Sequence, residues 1–245
     1  MDIKPIETVY NGYRFRSRLE ARWAVFFDAA GIKYEYEPEG FEYSRGDGEK
    51  CRYLPDFFLP ELEKYVEVKG SKESLLKDFH KLALAIDWDA TPIAQYGLLI
   101  LGQIPNYEKM AWGNVPMFTY LFRGEKGVRV EHAIFWEGFH CTKAHPTRKK
   151  SVYVIGGNDS IISKIYGYPH EYIDAFSGDI PNFVTTEEMY THSSLRSFST
   201  DKMELLISSY KAARQARFEH GETPKFPKET PTYDVFDDVF GGIIP

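Results

Sequence analysis

Three residues have the types and spacing for metal-assisted hydrolysis: Asp56 in Tyr53-Leu54-Pro55-Asp56-Phe57, and Glu67 and Lys69 in Val66-Glu67-Val68-Lys69-Gly70. Alternate residues of a strand share a face, so Glu67 and Lys69 point the same way. Asp56 falls near the end of a neighbouring strand reached through a turn at Pro60 and Glu61, so two carboxylates and one ammonium converge at one edge. Carboxylates hold a hard divalent cation, which polarises a phosphoryl oxygen and lowers the pKa of a bound water. Lys69 would position or deprotonate that water, and the backbone carbonyl of Val68 could supply another oxygen ligand. Glu20 extends the set. At about 100° per residue it falls within roughly 20° of Phe27, at the margin of an apolar helical stripe. An acid there is expensive unless paired or metal-bound, which makes Glu20 a fourth candidate, as a direct ligand or through water.

The elements that must position these groups are legible on either side of them. Leu19, Trp23, Phe26, Phe27 and Ala30 recur at near-helical spacing and Gly31 stands where a C-cap belongs, which predicts a helix over 16–30. Aromatic and charged residues alternate over 33–43, Gly46, Asp47 and Gly48 mark a turn, and 51–59 resumes an extended pattern. Tyr65 to Lys69 alternates strictly and predicts a half-buried strand. Ser71 suits an N-cap for a second helix carrying Leu75, Phe79, Leu82 and Ile86, which runs to about Trp88. Tyr96 to Leu101 reads as a short buried strand. The order helix, three strands, helix, strand predicts an α/β arrangement with a three-strand meander and one crossover. Beyond Gly102, paired strands are expected over 117–122 and 128–135, another over 151–155, and a helix over 201–218.

With those residues in place, the sequence resembles the PD-(D/E)XK nucleases of the restriction-endonuclease-like superfamily. Pro55-Asp56 stands as the PD, Glu67-Val68-Lys69 as the EXK, and Glu20 as the acid of the first helix. The stretch YRFRSRLEARWAVFFDAAGIKYEYEP looks like the opening of small bacterial and phage nucleases, and ARQARFEHGETP like a C-terminal helix of the same proteins. The likeness spans about 10–102. It implies an αβββαβ core with a mixed sheet, a Mg²⁺- or Mn²⁺-dependent deoxyribonuclease acting as an endonuclease, DNA as partner and a homodimer. The catalytic set would be Glu20, Asp56, Glu67 and Lys69, with metal on Glu20, Asp56, Glu67 and the Val68 carbonyl. The expected organisation is a nuclease core over 1–102, a β-rich α+β elaboration over 103–200, a C-terminal helix packing on the core over 201–222, and an acidic, proline-containing tail over 223–245. The competing reading is a catalytically silent protein of the same fold that binds nucleic acid or a bacterial partner protein.

Basic residues offer candidate phosphate contacts: Arg14, Arg16, Arg18 and Arg22 near the first helix, Lys72, Lys77, His80 and Lys81 on the second, and Lys143, Arg148, Lys149 and Lys150 on an expected loop. Solvated charged faces account for these clusters equally well. His140, Cys141 and His145 lack the paired spacing of a zinc site, so structural zinc is not expected. Gly156-Gly157 opens no GxxxxGK[ST] motif, so no nucleotide cofactor is expected.

Over 245 residues, 43% hydrophobic and 27% charged residues make an ordinary globular composition. Net charge is −6, which rules out a wholesale cationic coat for nucleic acid. Six acids against two lysines lie in 219–245, so the remainder is nearly neutral and a local basic face stays open to DNA. Two cysteines build no disulfide framework, the N-terminus reads as no signal peptide, and no apolar run approaches the ~20 residues a membrane span needs. The expected setting is the cytoplasm of a bacterial or phage-infected cell, with no membrane partner.

Overall fold

The computed structural model describes residues 5–44, 48, 50–87, 91–108, 110, 114–125, 127–142, 145–156, 171–173, 189–191 and 203–218. Gly46, Asp47, Trp88, Lys143 and the tail 223–245 lie outside the described residues. The elements in chain order are β1 (Thr8–Tyr10), β2 (Tyr13–Phe15), α1 (Arg18–Ala30), β3 (Glu35–Tyr36), β4 (Phe41–Ser44), β5 (Lys50–Tyr53), β6 (Phe57–Leu59), β7 (Lys64–Val68), α2 (Lys72–Asp87), α3 (Pro92–Tyr96), β8 (Leu98–Leu101), β9 (Asn114–Pro116), β10 (Phe118–Gly124), β11 (Gly127–Thr142), β12 (His145–Gly156), β13 (Glu171–Ile173), β14 (Met189–Thr191) and α4 (Glu204–Gln215). No helix among them is long and apolar enough to cross a membrane.

The fold is mixed α/β. An eight-stranded sheet runs in the order β12-β11-β10-β8-β7-β6-β3, with β13 on β11. β7 and β8 are parallel, and β3-β6, β6-β7, β8-β10 and β10-β11 are antiparallel. The parallel pair needs a crossover, supplied by α2 and α3. Helices cover both faces, which is why all four residues of β8 are buried. Period-two alternation divides the interior: Val66, Leu99 and Leu101 face the layer containing α1 and α4, whereas Tyr65, Leu98 and Ile100 face α2.

α1 starts at the N-cap Ser17 and ends at Gly31, whose φ of 70° is the left-handed C-cap conformation. Its Trp23, Phe26 and Phe27 are wholly buried. Phe26 stacks on Tyr210 of α4 at 4.5 Å, Phe27 meets Phe57 edge-on at 5.4 Å, and Trp23 meets Phe118 at 5.7 Å. The Trp23 indole N–H donates to the Gly102 carbonyl at 2.8 Å, tying α1 to the end of β8. α4 lacks a side-chain cap of its own; the buried Glu137 of β11 accepts the Leu206 N–H at 2.9 Å instead.

Two expectations are corrected. The single strand expected over 33–43 is split, because Glu37 takes a φ of +46° and gives its N–H to the Asp56 carbonyl at 2.9 Å, ending β3. The strand expected over 51–59 breaks at Pro55, which has no N–H for a ladder. Between the breaks, β4 and β5 form a separate hairpin pinned to α2 by the Tyr43 hydroxyl, which donates to the Lys81 carbonyl at 3.0 Å. In the expected β-rich elaboration after 102, β10, β11 and β12 continue the same sheet outward from β8.

Gly97 closes the crossover in a conformation that favours glycine, at φ 74° and ψ 173°. A Cβ there would run into the Tyr120 ring, whose hydroxyl donates to the Tyr96 carbonyl at 2.9 Å. Gly97→Ala should therefore cost about 3 kcal/mol of stability, from backbone strain and a displaced tyrosine. Urea unfolding followed by circular dichroism reads this, and an unchanged midpoint would mean that the turn relaxes freely.

Candidate active site

Pro55 interrupts the ladder two residues before β6, which leaves Asp56 in a bend at the strand's entrance. The register pairs Phe57 with Val66, so the next position outward sets Asp56 opposite Glu67. β7 carries Glu67 and then Lys69 on its α2 side. The first turn of α1 brings Glu20 to the same edge. Glu20, Asp56 and Glu67 are 7%, 6% and 7% exposed.

Each carboxylate has received substitutes for the water it lost. The Ser17 hydroxyl donates to Glu20 Oε1 at 2.7 Å while its oxygen accepts the Glu20 N–H at 3.2 Å. Glu20 Oε2 accepts the Arg16 N–H at 3.1 Å and the Tyr36 hydroxyl at 2.8 Å. Asp56 Oδ2 accepts the Val68 N–H at 2.7 Å, and Oδ1 accepts Arg16 Nη2 at 2.9 Å. Glu67 Oε2 accepts the Tyr53 hydroxyl at 2.6 Å, and Oε1 pairs with Lys69 Nζ at 2.9 Å. Lys69 also donates to Asp78 of α2 through a short bond, and Arg16 Nε pairs with Glu37 at 2.7 Å. Each of the two cations thus serves two acids.

Burial and the neighbouring acids act together on Asp56. Burial, reinforced by the fields of Glu67 and Glu20, pushes the Asp56 carboxyl well above the ordinary range despite the Val68 N–H and Arg16. Burial also pushes the Tyr53 hydroxyl well up, as do Glu67 and Asp56, so it stays protonated and donates. Lys69 behaves oppositely. Burial disfavours its ammonium, but Glu67 and Asp78 together outweigh that and hold the proton above the usual lysine range. These surroundings favour the charged form of Lys69.

The four expected catalytic residues come together. Val68 joins them through its N–H. Arg16, expected only as a phosphate contact, enters the cluster itself. Lys81 reaches its border, with Nζ 5.7 Å from the Tyr53 ring centroid. Arg14 pairs with Glu7 at 3.3 Å on the exposed hairpin, and Arg18 is half-buried at the start of α1. Lys72, Lys77 and His80 are exposed along α2. Arg148, Lys149 and Lys150, expected on a loop, lie within β12 because the β11-β12 ladder continues through them. That strand stands four places from β7, about 20 Å along the sheet at ~4.8 Å per strand. Their side chains, with those of His140, Cys141 and His145, lie outside the described residues.

Sequence reasoning missed Ser17, Tyr36, Tyr53 and Asp78. Ser17 and Glu20 had a local signal, since Ser-x-x-Glu before an apolar run is a capping box. Asp78 had none, because its meeting with Lys69 depends on how α2 turns back from Gly70.

Among the described residues, no group of three or more His, Cys, Asp or Glu side chains stands ready-made around a metal ion. The donor chemistry nevertheless fits a hard divalent cation: buried carboxylate oxygens in one another's fields. No protein-family model, curated protein or solved structure matches the chain.

Tyr53→Phe removes a buried donor from Glu67 while retaining the ring. It should cost about 1–3 kcal/mol, the penalty for leaving a buried charged acceptor undersupplied. Urea unfolding at neutral pH measures it, and a loss below a few tenths of a kcal/mol would mean that Glu67 finds other donors.

Proposed function

We propose that the chain is a metal-dependent DNA nuclease built on a restriction-endonuclease-like αβββαβ core. The observation that carries the reading is the convergence of Glu20, Asp56, Glu67 and Lys69, from α1, the β5-β6 bend and the end of β7, in one buried site. The succession α1, β3, β6, β7, α2, β8, with β7 parallel to β8, supports the core assignment.

Glu20, Asp56 and Glu67, with the Val68 carbonyl, would hold Mg²⁺ or Mn²⁺. Such an ion supplies Lewis-acid polarisation of a phosphoryl oxygen and lowers the pKa of its water. The chain's own residues do the rest. Tyr53, Tyr36, Ser17 and the Val68 N–H hold the carboxylates in fixed directions, so that little reorganisation accompanies reaction. Lys69, kept charged by Glu67 and Asp78, offers its ammonium to the attacking water or to the charge that develops on phosphate. Exposed Lys72 and Lys77 on α2 supply backbone contacts that need only placed positive charge.

A second reading, the silent binding protein, draws on one observation: both oxygens of Asp56 and of Glu67 already have protein partners. Wild type and Lys69→Ala, each incubated with supercoiled plasmid, linear duplex and single-stranded DNA in Mg²⁺, Mn²⁺ or EDTA, separate the two. The nuclease reading expects metal-dependent cleavage that falls by about 10² or more in Lys69→Ala. It also expects a metal-induced rise in wild-type melting temperature that Asp56→Asn abolishes. Well-folded wild type that cleaves nothing and gains no stability from metal would support the silent protein.

A further inference from the structure

Arg16 is held at its backbone, and its ion-paired side chain borders solvent. Its N–H is held between Glu20 Oε2 and the Tyr36 hydroxyl, at 3.1 and 3.0 Å, so its Cα cannot leave the site. Its side chain is 55% exposed, and the guanidinium bridges Asp56 Oδ1 and Glu37 Oε1. The other donors to the acids are built into the fold. Val68 belongs to β7, Tyr53 is 3% exposed, the half-buried Tyr36 packs its ring on Phe15 and Phe57 with centroids 4.4 and 5.4 Å away, Ser17 is the cap of α1, and the Lys69 side chain is 13% exposed between two acids. Among these contacts the bond from Arg16 to Asp56 is the one whose donor can step directly into water. A guanidinium regains hydration at little cost when its head already borders solvent.

A divalent cation bound through Asp56 would also place like charge against that guanidinium at contact distance. Resting on the reading of Glu20, Asp56 and Glu67 as metal ligands, we infer that Arg16 is an exchangeable counter-ion. It compensates Asp56 while no divalent cation is held, and a cation entering among the acids displaces it from Oδ1. The acid cluster therefore stays folded without metal, and metal affinity is set by competition as well as by the ligands. The displaced guanidinium, still anchored beside Glu20, is free to take a phosphate oxygen through its planar fork.

The test is a Mn²⁺ titration of the full chain, with free ion read by electron paramagnetic resonance, on wild type, Arg16→Gln, Arg16→Lys and Asp56→Asn. Arg16→Gln should bind Mn²⁺ about ten-fold more tightly than wild type, a coupling of ordinary size, with Arg16→Lys in between. Metal-free Arg16→Gln should melt below metal-free wild type yet gain more from Mn²⁺, which separates exchange from general damage. If Arg16→Gln does not fold, Arg16→Lys carries the comparison, with a several-fold gain expected. Unchanged or weaker Mn²⁺ affinity in the Arg16 variants, while wild type binds and Asp56→Asn does not, overturns the exchange and leaves the metal reading standing. Absence of Mn²⁺ binding by wild type overturns both.

Discussion

Three carboxylates lie almost out of water at one edge of the sheet, and an ion taken out of water costs several kcal/mol unless the protein replaces its hydration. Much of the local architecture follows from that replacement. Ser17 must cap α1 where it can reach Glu20, and β3 must bring Tyr36 to the same acid. The ladder must break at Pro55, so that Asp56 can take the Val68 N–H across the gap. The β4-β5 hairpin returns Tyr53 beneath Glu67. Arg16 and Lys69 are shared between acids, and burial, with the charges of Glu67 and Glu20, disfavours the ionised form of Asp56.

The remainder of the domain holds this edge rigid. On one side α1 and α4 press an aromatic cluster of Trp23, Phe26, Phe27, Phe135 and Tyr210 against the sheet; on the other, α2 packs Leu75, Phe79, Leu82 and Ile86 against β8 and its neighbours. Each such side chain contributes about 1.5–3 kcal/mol on burial, so a modest number offsets the cost of one acid cluster. Position also matters. Asp78 and Lys81 stand on the same helix as the apolar stripe that docks it, so packing of α2 aims one group at Lys69 and the other at Tyr53. Stability and site geometry here rest on the same contacts.

Asp56, Glu67 and Lys69 were legible because their information is local. Strand alternation puts Glu67 and Lys69 on one face, and a short connection sets Asp56 opposite Glu67. The apolar spacing of α1 and α2, and Gly31 as a C-cap, were legible for the same reason. The splitting of the 33–59 region was read over: aromatic-charged pairs on both sides look like one strand, although Tyr34 and Tyr36 fall out of phase with Phe41 and Tyr43 across Pro38-Glu39-Gly40. The reach of the sheet through β12 was hidden too: the basic run Arg148 to Lys150 reads as loop, and only pairing with β11 keeps it extended.

By itself the sequence determined that α1, β7 and α2 form near the site, and it singled out Glu20, Asp56, Glu67 and Lys69 as candidates, because periodicity and turn residues act over a few positions. The tertiary structure alone decided what surrounds them. How firmly Lys69 holds its proton depends on Glu67 and also on Asp78 in another element, how far the ionised form of Asp56 is disfavoured depends on its burial, on Glu67 and on Glu20 arriving from α1, and whether Arg16 meets phosphate or carboxylate depends on where β2 delivers it. The physical reason is that charge acts through space. Its effect depends on burial and on distances among residues far apart in the chain, and neither is written in their spacing.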